Sequence, residues 1–212
     1  ALGDHTVLAM ANDPPDGQGV LPMCAASAPG GQQVSLLEIT LDELWNLIST
    51  YVDPSNRDII VVQRPIAGQY FGVAGFDNGA LSFYPWLNPN LNTLKTVDGW
   101  HGYGIRLLRP SSSPPPESEE PEYPRLRVIG QSLPADTPLP LDPRWNLVSY
   151  LPRVTLPVTE ALASITGQYQ AVLGYDNGAL SLYPDLDDSY NTLAEMAPLY
   201  GYWIKTTSAV TL

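Results

Sequence analysis

At 212 residues and a formal net charge of −12, from 22 acidic against 10 basic side chains, the chain lacks the basic patch that nucleic acid or anionic lipid demands. Hydrophobic residues make up 44%, enough for a core, and 22 prolines beside 17 glycines favour short strands and many turns over long helices. No apolar run approaches the roughly 18 residues of a membrane span, so no membrane insertion is expected.

In chain order, residues 1–31 form a leading segment, read as the possible tail of a preceding domain. Residues 1–44 hold six acids and no Lys or Arg. An edge strand is expected at 5–11 and a turn at Asn12-Asp13-Pro14-Pro15-Asp16-Gly17. Cys24 is the only cysteine, which excludes an internal disulfide and a multi-cysteine zinc site. The start Ala1-Leu2-Gly3-Asp4 lacks the basic head and apolar core of a signal peptide, so the chain reads as mature or as a piece of something larger.

Shifted by about 100 residues, the sequence matches itself. Trp45-Asn46-Leu47-Ile48-Ser49 answers Trp145-Asn146-Leu147-Val148-Ser149. Phe76-Asp77-Asn78-Gly79-Ala80-Leu81 returns as Tyr175-Asp176-Asn177-Gly178-Ala179-Leu180, Asn92-Thr93-Leu94 as Asn191-Thr192-Leu193, and Gly102-Tyr103-Gly104-Ile105 as Gly201-Tyr202-Trp203-Ile204. The repeat defines a module at 32–109 and a second at 125–212, joined by an acidic, proline-rich linker at 110–124 that suits an extended spacer.

The second copy gives the clearer local pattern. Strands are expected at 145–151, 170–175, 179–183 and 201–207, with a tight hairpin at Asp176-Asn177-Gly178. A short helix is expected at 159–165, and Asn191-Thr192-Leu193 is expected to cap another helical turn. A feeder strand at 35–41 corresponds loosely to 125–133. The fold class is therefore mainly β with a minor α part: two homologous β-rich modules, each with one or two short helices. If the modules pack together, equivalent faces should meet about a pseudo-two-fold axis.

The order of these motifs resembles a repeat found in large secreted and surface-anchored bacterial and archaeal proteins. The resemblance covers both copies and is most specific at Trp145-Asn146-Leu147-Val148-Ser149 and Gly201-Tyr202-Trp203-Ile204-Lys205; the first copy departs from it at Gly104. It implies an extracellular or cell-surface location and a modular role, and it transfers no active site.

The residues supply little for catalysis. His5 and His101 are the only histidines, neither in a ligand-spaced motif, and no phosphate-cradling glycine loop is present. Asp77 and Asp176 recur before Asn-Gly, where an Asp serves the turn. No cofactor and no metal are expected, with calcium at Asp77, Asp176 or the Asp185, Asp187, Asp188 cluster as the alternative. Trp45 and Trp145, present in both copies, are expected in the core. Trp86, Trp100 and Trp203, which have no Trp counterpart, are with His101 the candidates for a ligand-binding surface. The expected function is non-catalytic: adhesion, spacing or display within a larger secreted or surface protein, with polysaccharide or another surface protein as partner. The alternative is a carbohydrate-binding module that targets an associated enzyme.

Overall fold

A computed structural model describes residues 26–27, 33–42, 44–108 and 123–212; the strand expected at 5–11, the turn at 12–17, Cys24 and most of the linker lie outside the described residues. The first half runs β1 (Ala26–Ser27), β2 (Gln33–Thr40), β3 (Trp45–Ile48), β4 (Val52–Pro54), α1 (Ile59–Val62), β5 (Tyr70–Phe76), β6 (Ala80–Phe83) and β7 (Tyr103–Leu107). The second runs β8 (Arg125–Ser132), β9 (Pro140–Leu141), β10 (Arg144–Ser149), β11 (Leu156–Pro157), α2 (Val158–Ala161), β12 (Tyr169–Tyr175), β13 (Ala179–Leu182), β14 (Glu195–Met196), β15 (Gly201–Thr206) and β16 (Val210–Thr211). The fold is mainly β.

Each copy builds the same four-stranded antiparallel sheet, in the order β3-β7-β5-β6 and β10-β15-β12-β13. The likeness reaches the register. Trp45 pairs with Arg106 as Trp145 pairs with Lys205, and the ladder slips between Tyr70 and Gly72 as it does between Tyr169 and Ala171. Asn78 and Asn177 turn the hairpins at φ 50° and 49°, a left-handed conformation that Asn tolerates. The helix expected at 159–165 forms as α2 followed by a 3-10 turn at Ala163–Ile165, with Pro157 rather than Thr159 at its N-terminus.

Asn191 caps a 3-10 turn at Asp188–Tyr190 from its C-terminal side, its amide donating to Asp188 O at 3.0 Å, while the side chains of Asn191 and Thr192 bond to the neighbouring strand. Asn191 Oδ1 accepts the Tyr183 amide at 2.8 Å, and Thr192 Oγ1 accepts that of Ser181 at 3.0 Å. Asn92 and Thr93 do the same for Tyr84 and Ser82. These side chains complete the outer edges of β6 and β13.

β8 follows the linker but lies between β2 and β4, pairing Val34–Thr40 with Gln131–Arg125 and Val52–Pro54 with Ser132–Gly130. Its Leu126 and Val128 enter the first core with Leu37, Ile39 and Ile105, whereas the next buried hydrophobic side chain, Leu133, enters the second. Glu38 on β2 takes both Arg125 and Arg127, at 2.9 and 2.7 Å, and these charge-assisted bonds hold its carboxyl below the usual range.

One core position breaks the repeat. Gln63 is 2% exposed and its Oε1 has no hydrogen-bond partner among the described residues, while its counterpart Leu162 is fully buried. An orphaned buried acceptor costs stability. Gln63→Leu, which installs the second copy's residue, is expected to add about 1 kcal/mol, read as a higher urea midpoint at unchanged slope.

The two copies interlock about a pseudo-two-fold axis. Ser49 N donates to Leu199 O at 2.8 Å as Ser149 N donates to Trp100 O at 3.0 Å. Ser49 Oγ donates to Tyr200 O and Ser149 Oγ to His101 O, at 2.7 and 2.9 Å. Ile48 bridges Tyr200, and His101 bridges Val148. Leu199 packs into the first core and its counterpart Trp100 against the second, a reciprocal exchange that makes each copy part of the other's interior.

Candidate binding surface

Alternation along β3, β5 and β7 sends Ile48, Val73, Tyr103 and Ile105 inward and leaves Trp45, Ala74 and Arg106 on the outer face. Trp45, expected in the core, is therefore 46% exposed. Trp145 likewise is only partly buried and meets Trp203 edge-on at 6.3 Å. Their recurrence reflects a shared outer face, since the even-numbered neighbours Asn46 and Asn146 take the inward positions and close on Asp42 and Asp142.

Trp86 is the most exposed of the candidate tryptophans, at 62%. It forms a cluster with Phe71 and Tyr84, with ring centroids 5.4–5.8 Å apart. The indole N–H donates to Phe71 O at 3.3 Å. Arg106 stacks its guanidinium over Phe71 at 4.9 Å and reaches Trp45 at 5.9 Å, which extends the cluster across the sheet. The second copy has Gln170, Asp185 and Lys205 at the positions of Phe71, Trp86 and Arg106, so this surface belongs to the first copy alone.

The other candidates do not join it. Trp100 is partly buried against the second core and carries Arg57 over its ring at 4.9 Å. Trp203 packs against Phe76 of the other copy, with centroids 5.0 Å apart. His101 forms a pair with Asp98, Nδ1 to Oδ1 at 2.9 Å, in a turn whose amides at Trp100 and His101 also point to Asp98 Oδ1. Burial pushes the Asp98 carboxyl up, but the hydrogen bond and charge of His101 with those two amides outweigh it and leave the value lowered. The same hydrogen bond raises His101 above its ordinary value, with Asp77 adding to the attraction.

The pair has a defined pH dependence. The raised His101 stabilises the fold fully below the ordinary histidine value and ceases to as pH climbs through its folded value. The lowered Asp98 stabilises above the ordinary carboxylate value and ceases to as pH falls through its folded value. Replacing His101 by Gln should therefore cost more stability at about pH 5.5 than at about pH 8.5, measured by urea denaturation at both; equal losses would show that the pair is not charged in the native state.

Of the aspartates considered for calcium, Asp77, Asp176, Asp187 and Asp188 take part in turns. Asp187 accepts the Ser189 amide, which lowers its carboxyl, and the Asp77 and Asp176 amides donate to Gly79 O and Gly178 O in the hairpins. Among the described residues no three His, Cys, Asp or Glu side chains converge in a group able to hold a metal. No helix among them is long and apolar enough to cross a membrane.

Where the two outer faces approach near the axis, they enclose a cleft of about 630 Å³ lined by Trp45, Leu47 and Gly104 of the first copy and Leu173, Tyr175 and Trp203 of the second. Sequence reasoning did not find this cleft, nor Phe71, Tyr84 and Arg106. Only the departure at Gly104 signalled it. No family model, curated protein or solved structure matches the chain.

Proposed function

We propose that the chain is a non-catalytic tandem module serving adhesion, spacing or display outside the cell, within a larger secreted or surface protein. One observation carries the reading: polar residues shared by both copies are engaged in holding the fold, while the exposed aromatic group belongs to one copy. Asn46 and Asn146 close on neighbouring backbone, Ser49 and Ser149 lock the copies together, and Tyr103 and Tyr202 accept the Asp98 and Ala197 amides. Burial raises both phenols, that of Tyr202 to about 12. These residues are occupied as scaffold.

A carbohydrate-binding role is the second reading, favoured by the exposed Phe71, Tyr84 and Trp86 rings, whose apolar faces suit sugar rings. The test is a glycan array and a panel of surface proteins, run beside assays for hydrolysis of glycoside, ester and peptide substrates. Trp86→Ala is expected to weaken binding at least roughly tenfold while leaving the circular-dichroism melt unchanged. The partner that responds, polysaccharide or protein, selects between the readings. Turnover abolished by substituting a single acid, such as Asp98, would overturn both.

A further inference from the structure

Gly104 lies within β7 between the buried Tyr103 and Ile105. Glycine weakens a strand, and where one occurs something normally requires it. Gly104 does not adopt a positive φ. Crowding does not require it either, since a Cβ there would meet Ala74 Cβ at 3.7 Å and Trp45 Cζ3 at 3.8 Å, ordinary contact distances. What the missing side chain leaves is space.

The pseudo-two-fold axis shows the shape of that space. The counterpart of Gly104 is Trp203, whose indole sits 5.0 Å from Phe76 and 6.3 Å from Trp145. The counterparts of those two rings are Tyr175 and Trp45, and both line the cleft at Gly104. The same seat is therefore built twice, continuous with the interface between the copies. One seat is filled by the protein's own indole and the other is open. At about 630 Å³ the cleft falls within the range of small-molecule sites, roughly 300–1,000 Å³. Its lining includes Leu47, Leu147 and Leu173 and holds no charged side chain, so a charged group entering it would lose hydration without compensation.

We infer that the cleft at Gly104 is a binding site for an uncharged, planar aromatic ring of indole size carried by a small-molecule ligand. The ring would take the place that Trp203 occupies in the other seat, between Trp45 and Tyr175. None of Phe71, Tyr84 and Trp86 lines this site, so its failure would leave the proposed function standing.

Indole itself is the probe, titrated calorimetrically into the intact chain and into Gly104→Trp and Gly104→Ala. The wild type should take up one indole per chain, saturating below about 1 mM. Gly104→Ala, whose Cβ has room, should retain binding. Gly104→Trp, which fills the open seat as Trp203 fills its mate, should lose at least roughly tenfold in affinity and melt at or above the wild-type temperature. Absence of saturable uptake by the wild type would overturn the assignment, as would uptake unchanged in a folded Gly104→Trp. A Gly104→Trp chain that fails to fold would also count against it, because the seat would then be unable to hold an indole.

Discussion

Gly130→Ala should destabilise the protein by about 3 kcal/mol or more and lower its melting temperature by roughly 6–12 °C. A Cβ at this position would stand 1.8 Å from the Asp53 carbonyl oxygen and 2.8 Å from Pro54 Cα. Both are backbone atoms of β4, so no rotamer change relieves the overlap. Nor can β8 retreat, because Gly130 pairs with Pro54 on one side and Ser35 on the other. Gly79→Ala is the control: nothing lies within 4 Å of its Cβ position, and its effect should stay within about 0.5 kcal/mol. Thermal melts of the two variants followed by circular dichroism decide the matter. A wild-type melt for Gly130→Ala would mean that β4 does not pair with β8 in solution.

Gly201→Ala strikes the contact between the copies. Its Cβ would approach Ile48 O to 2.7 Å and Gly102 Cα to 3.2 Å, at the point where the two backbones cross. The expected cost is about 2–3 kcal/mol, and it differs in kind from that of Gly130→Ala because it loosens one copy from the other. Wild-type unfolding in urea should give coincident transitions by far-ultraviolet circular dichroism and by tryptophan fluorescence. In Gly201→Ala the two probes should separate, as one copy unfolds ahead of its partner. Coincident curves in the variant would show that the cores remain coupled through β8 alone.

Much of the fold could be read from the repeat because identical local bonds demand identical residues. Asn46 and Asn146 each receive the amide four residues earlier, and Asn92 and Asn191 each bond a strand eight residues back. Bonds of that span leave the same residues at the same spacing in both copies. The place of β8 was less legible, since its pairing with β2 joins residues about ninety apart, across the linker. The tryptophans reversed expectation. Trp45 and Trp145 recur because both copies present a ring on the outer face near the axis, and recurrence alone does not distinguish that face from an interior. Trp100 and Trp203, unmatched in the other copy, each pack against the other copy, and Trp203 also lines the cleft between the outer faces. The Asp98–His101 pair was hidden because it lies in a turn outside any helix or named strand, where spacing alone does not fix which side chains meet, and Phe71, Tyr84 and Trp86 meet only once β5 and β6 are paired.

The asparagine and threonine beside β6 and β13 bear on how such units behave in series. The outermost strand of a sheet offers free amides and carbonyls to any strand that comes near, and a chain of repeated β units places matching edges at high local concentration. Here Asn92 and Thr93 occupy those groups on Ser82 and Tyr84, and Asn191 and Thr192 occupy those on Ser181 and Tyr183. The outermost strand of each repeat sheet thus carries its own guard against strand addition along β6 and β13.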